Sequence, residues 1–123
     1  MQGTQLPLEH LTKRPQFLAA AKGLSSARGA VLCQMLARND ESDAIRIGFT
    51  ATKRLGGAVV RNRAKRRLRV AARQVLLDLG KPGADYVFIA RQGAAERPWP
   101  RLIEDMQRAL LSLAPKPDTP RTL

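Results

Sequence analysis

One cysteine, one histidine and five aromatic residues are spread over 123 positions. A lone Cys33 excludes an internal disulfide framework and a multi-cysteine metal site, and it fits a reducing compartment, read here as the cytoplasm. The lone His10 stands in an amino-terminal arm with no motif around it. No histidine falls near Cys33 in the sequence, so the thiol has no evident base and reads as a small core residue. The carboxylates offer little more. Asp40, Glu41 and Asp43 crowd one polar turn, and Glu104-Asp105 read as solvent-facing positions of a helix. That leaves no spaced acid–base pair and no metal-ligand cluster. No apolar run approaches membrane-spanning length. The opening MQGTQLPLEHLTKR has neither the apolar h-region nor the cleavage pattern of a secretory signal. No internal repeat is present. These absences argue for binding rather than catalysis, by a chain that holds no cofactor or metal of its own.

Positive charge is what the sequence does have, and it is concentrated. The stretch from Lys53 to Arg73, KRLGGAVVRNRAKRRLRVAAR, holds nine lysines and arginines and no acidic residue. The flanks are nearly neutral, although the whole chain carries +12. One segment carries the charge, so one surface is expected to carry the function. Gly56-Gly57 breaks the chain, and a helical pattern follows. Val60, Ala64, Leu68, Ala71, Val75 and Leu79 form one apolar stripe, with no Gly or Pro until Gly80 and Pro82. Asn62, Lys65, Arg66, Arg69 and Arg73 lie opposite the stripe, with Arg63 and Arg67 beside it. Solvated helix faces normally mix both signs, because like charges one turn apart repel. A polyanion relieves that repulsion, and displaced counterions add an entropic drive to its binding. An anionic membrane is the weaker fit, since the stripe has no Trp or Phe. Duplex DNA is weaker too, since no helix-turn-helix pattern precedes this helix.

The length suits a single domain burying roughly two-thirds of its unfolded surface. Residues 1–9 read as an arm, 10–114 as the domain and 115–123, with Pro115, Pro117 and Pro120, as a disordered tail. Pro15 and Gly23 bracket a short helix over 15–22. Residues 25–29 read as a loop and 30–38 as a strand apolar on both faces. Residues 44–52 alternate, with Ile45, Ile47, Phe49 and Ala51 on one face and Arg46, Gly48, Thr50 and Thr52 on the other. The two strands are expected to form a hairpin with one open polar face. Lys53 and Arg54 close the second of them, beside a helix start whose free N–H groups favour anions. A third strand covers 85–91, parallel to the second through a crossover whose general rule is right-handed. A last helix ends near Leu113, with Trp99 sealing its start. The order is read as αβββαβα, an α+β layer with one strand more than the three placed here.

Arg61-Asn62-Arg63-Ala64-Lys65-Arg66-Arg67-Leu68-Arg69 resembles the RNR signature of the bacterial ribonuclease P protein subunit family. Ile47 to Gly56 is similar to the strand and Lys-Lys/Arg-x-Gly turn that lead into it there. Asp85 to Arg91 resembles the family's third strand, and Leu11-Thr12-Lys13-Arg14 with Phe17 its first helix. The likeness covers about residues 9 to 113. A lone RNR is weak; strand, turn and helix in that order and spacing are specific. The resemblance implies a ribosomal-protein-S5-domain-2-like sandwich with a left-handed βαβ crossover. It also implies a protein that binds a catalytic RNA subunit 1:1 as a monomer. The RNA, with bound Mg²⁺, would hydrolyse the phosphodiester that removes the 5′ leader of precursor tRNA. Lys53, Arg54, Arg61, Asn62, Arg63, Lys65, Arg66, Arg67, Arg69 and Arg73 are the implied RNA contacts. The implied leader groove runs through Phe17, Ala21, Cys33, Thr50, Thr52 and Arg91. Ala21 and Cys33 stand where the family often has aromatics, so stacking there is reduced. The alternative is a ribosomal or assembly protein that clamps folded RNA without a part in cleavage.

Overall fold

The computed structural model describes residues 8–114. The tail read at 115–123 and the arm up to residue 7 lie outside them. The elements are β1 (Leu8–His10), α1 (Arg14–Ala21), β2 (Leu24–Arg28), β3 (Val31–Ala37), β4 (Ile45–Ala51), α2 (Ala58–Leu79), β5 (Ala84–Ala90) and α3 (Trp99–Leu111). The five strands form one mixed sheet in the order β1-β4-β5-β3-β2. α2 and α3 pack on one face of the sheet. The short α1 packs on the other.

α2 forms where the stripe predicts it. Ala64, Leu68, Ala71 and Val75 are buried, with Ala72 and Leu76 beside them, while Val60 and Leu79 at the two ends are half-buried. The 22-residue helix is about 33 Å long. As a crossover it returns the chain beside β4, and β4 and β5 pair in parallel with Phe49 opposite Phe88. β5, the middle strand, is buried on both faces: Tyr86 and Phe88 toward α2 and α3, Val87 toward α1.

The expected hairpin of residues 30–38 with 44–52 does not form, because β5 lies between the two strands, antiparallel to β3 and parallel to β4. The hairpin that does form is β2 with β3, so residues 25–28, read as loop, are strand. It turns at Gly29 (φ 52°), where a Cβ would lie 2.3 Å from the Asp105 carboxylate. That carboxylate accepts the Ala30 N–H at 3.0 Å and pairs with Arg97 at 2.6 Å. Asp105 is therefore buried, not the solvent-facing position its sequence suggests. Only Glu104 is exposed there, paired with Arg108. The arm is also ordered at its end: residues 8–10 add β1 to the sheet edge, parallel to β4.

The polar face of β4 is less open than alternation predicts. Gly48 is buried because Phe17 of α1 lies across it. A Cβ there would lie 2.4 Å from the ring's Cε2 and 3.2 Å from Leu11 Cδ1. Gly48→Ala is expected to displace the ring and lower stability by about 1–3 kcal/mol in urea unfolding. A loss under about 0.5 kcal/mol would show that Phe17 does not seat on this strand.

Candidate nucleic-acid interface

The candidate interface begins where β4 ends. Lys53 and Arg54 do not close the strand, which stops at Ala51. They form a separate 3₁₀ turn, Lys53–Leu55, and Gly56 (φ 135°) then turns the chain into α2. Gly57 caps α2 with no side-chain bond, so the N–H groups of the first turn stay available to an anion. Lys53 and Arg54 are exposed beside them.

Along α2, Asn62, Arg63, Arg66, Arg69 and Arg73 are exposed. Their spacing puts Arg63, Arg66 and Arg73 on one ridge. Arg61 and Lys65 are half-buried, and Arg61 Nε is buried with no partner among the described residues. Arg69 lies 5.6 Å over the Phe49 ring, which holds its direction.

Arg67 is placed differently. It donates to the carbonyls of Ala94, at 2.7 Å, and Arg97, and lies 5.7 Å over the Trp99 ring. Burial first, and the charge of Arg63 second, push its pKa down, with Glu96 offsetting a little. Arg67 thus ties α2 to the loop before α3 instead of projecting with the other cations.

The ion pairs among the described residues make a partition. Arg38, Arg46, Arg97 and Arg108 take Asp40, Asp85, Asp105 and Glu104. All four arginines lie outside α2. Burial opposes charge on Arg38, but its bonds to Asp40 and Asp85 outweigh it and its pKa rises. The bond to Asp85 likewise raises the pKa of Arg46. Arg38 holds the exposed Asp40 carboxyl below its usual value. No α2 cation pairs with a carboxylate among the described residues.

The proposed groove residues separate into two sets. Phe17, Ala21 and Thr50 lie half-buried on the α1 side, with Thr52 exposed just past β4. Cys33 does not join them. It is fully buried on the other face, opposite Phe88, beneath α2 and α3. Burial pushes its thiol up to about 12. The β3 side chains that do face α1 are Leu32, Gln34 and Leu36, half-buried and missed from the sequence because β3 is apolar on both faces. Ala51 is paired with Ala90, so Thr52 and Arg91 leave the same end of the sheet. Arg91 is exposed and reaches the Gly29 carbonyl at 3.4 Å. A polar strip therefore runs from the Phe17 ring past Thr50 and Thr52 to the cationic start of α2.

Among the described residues no three of His, Cys, Asp and Glu gather as metal ligands, and no helix is long and apolar enough to cross a membrane.

A sequence model of the family described as Ribonuclease P matches residues 7–114. Over 109 residues the chain is 58% identical to the ribonuclease P protein component of Caulobacter vibrioides, covering 89% of this chain and 73% of that one. Over 110 residues it is 51% identical to the component from Ruegeria pomeroyi, covering 87% and 88%. The fold is similar to the Staphylococcus aureus RNase P protein, with a TM-score of 0.69 and 27% identity over 83% of this chain and 92% of that one. It is also similar to the Thermotoga maritima RNase P protein, with a TM-score of 0.66 and 23% identity over 81% and 93%.

Proposed function

The chain belongs to the ribonuclease P protein family, and from that premise we propose that α2 docks on the RNA subunit while the strip beside α1 holds the 5′ leader of precursor tRNA. Membership makes the chain a subunit of a tRNA-processing endoribonuclease whose partner is the ribonuclease P RNA. The observation that carries the finer reading is the partition of charge. Every described carboxylate in an ion pair is taken by an arginine outside α2. The α2 cations are left to neutralise an external polyanion. Phosphates meet the exposed forks of Arg63, Arg66 and Arg73 and the free N–H groups at the helix start, with Lys53 and Arg54 alongside. Cations held between two RNAs lower their mutual repulsion, which matters most when Mg²⁺ is scarce. The protein contributes no catalytic group. The RNA and its bound Mg²⁺ perform the hydrolysis, in the cytoplasm, with one protein per RNA.

The leader contact has one ring to stack on, Phe17, because Ala21 is small and Cys33 faces the core. Thr50, Thr52 and Gln34 supply hydrogen bonds instead. That weaker stacking surface is what favours the RNA-clamp reading as the competitor. The test is cleavage of a precursor tRNA by a bacterial ribonuclease P RNA at low Mg²⁺, with and without the protein, together with affinities of the holoenzyme for precursor and mature tRNA. The protein is expected to restore correct 5′ cleavage and to favour the precursor. Binding to the RNA subunit with no gain in cleavage and no precursor preference would overturn the leader assignment in favour of the clamp.

A further inference from the structure

β1 is an edge strand, and its end meets α2 at a small cleft. In the parallel register His10 lies opposite Ile47, whose side chain enters the core beneath α2. The alternation of the strand therefore turns His10 to the α2 side and Glu9, opposite Arg46, to the other. His10, Arg69 and Arg73 line the cleft together with Leu8 and Glu9 of the strand, over Ile47 and Phe49. Its volume is about 20 Å³, room for one oxygen atom and not for a base. Leu11 spends its N–H on the Ile47 carbonyl at 2.9 Å. The same alternation points the N–H of His10 out along the open edge. Arg69 and Arg73 from α2 and His10 from β1 thus meet at one cleft. None of the three side chains pairs with a carboxylate among the described residues.

We propose that this cleft seats one backbone phosphate of the RNA subunit, with His10 as a binding residue alongside Arg69 and Arg73. The inference rests on the reading of α2 as the RNA-docking helix and extends its footprint across to β1. A single oxygen enters between the guanidinium groups while the imidazole N–H donates to a second oxygen of the same phosphate. Arg69 is held in place for this by Phe49. The recognition is of charge and not sequence, since no base fits.

His10 is the only histidine of the chain, so its imidazole Cε1 proton gives one unambiguous NMR signal in the untagged protein. Titration with a bacterial ribonuclease P RNA is expected to shift that signal, and to shift it much less in Arg73→Ala. His10→Ala is expected to weaken RNA affinity about tenfold, and His10→Arg to restore it, with thermal midpoints unchanged. In a double-mutant cycle, His10→Ala and Arg73→Ala are expected to be non-additive, because they share one phosphate. An unmoved His10 signal, or His10→Ala binding like the wild type, overturns the proposal. If Arg63→Glu with Arg66→Glu abolishes binding while His10→Ala leaves it intact, α2 still docks and only the cleft is wrong. If the unaltered protein does not bind the RNA, both readings fall.

Discussion

Asp85→Ala is expected to lower stability by about 3–5 kcal/mol, the cost of leaving the buried Arg38 with only the exposed Asp40 as partner and Arg46 with none among the described residues. Asp85 is the second residue of β5 and is 2% exposed. It accepts two bonds from Arg46, at 2.7 and 2.8 Å, and one from Arg38, at 2.9 Å. The two arginines differ in what they can do without it. The Arg46 side chain is 27% exposed and can turn to water, whereas that of Arg38 is 6% exposed and held by the Ala84 and Ser42 carbonyls. Most of the loss therefore falls on Arg38. Asp85→Asn, which keeps the shape and an acceptor, is expected to lose clearly less. Asp40→Ala is expected to lose far less than Asp85→Ala, because Asp40 is an exposed partner. The midpoint of urea unfolding should fall with an unchanged slope. Asp85 lies at the end of the sheet away from the start of α2, so RNA affinity of the folded variant is expected to hold. A loss below about 1 kcal/mol for Asp85→Ala would mean that Arg38 reaches water in spite of its burial.

Nothing in the sequence marks that network, since Arg38, Arg46 and Asp85 meet only after β5 has inserted between β3 and β4. The same insertion defeats the expected hairpin: β4 is followed by a 22-residue helix, and the parallel crossover, not the short polar turn at 39–43, decides β4's neighbour. The α2 stripe was legible because it is long, regular and bracketed by glycines, and burial of Ala64, Leu68, Ala71 and Val75 follows its period. β2 was not, because Ser25-Ser26-Ala27-Arg28 has little strand preference of its own and is a strand through pairing with β3. The resemblance alone places Cys33 in the groove, and β3, apolar on both sides, offers no alternation against it. Its face is decided by the register with Phe88. Gly48 looked like open sheet until Phe17, 31 residues earlier, closed over it. Arg67 looked like one more cation of the RNR helix. Its acceptors at Ala94 and Arg97 are 27 and 30 residues away. The pattern is physical: periodicity shows which faces a helix or strand has, but a contact between distant segments decides what each face meets.

Arg63→Glu with Arg66→Glu is expected to weaken binding to the RNA subunit by about a hundred- to a thousandfold at moderate salt. Both side chains are exposed on the same ridge, one turn apart, and neither pairs with a carboxylate among the described residues. The reversal takes four from a net charge of +12, all of it on one surface. It also sets two carboxylates against phosphates. Losing two phosphate contacts should flatten the plot of log affinity against log salt by roughly 1.5–2 in slope. Stability should move by no more than about 0.5 kcal/mol, since exposed positions carry no packing. Arg67→Glu makes the contrast within the same motif. Arg67 is bonded to the Ala94 carbonyl and stacked on Trp99, so its reversal is expected to loosen the α2–α3 contact and lower the unfolding midpoint. Its affinity loss at low temperature should be smaller than that of the Arg63 and Arg66 pair. Salt titrations of RNA binding beside urea unfolding for the two variants separate the roles. Unchanged affinity and slope in the Arg63 and Arg66 variant would remove α2 from the RNA interface. An equal salt-slope change from Arg67→Glu would mean that Arg67 leaves its carbonyls when RNA binds.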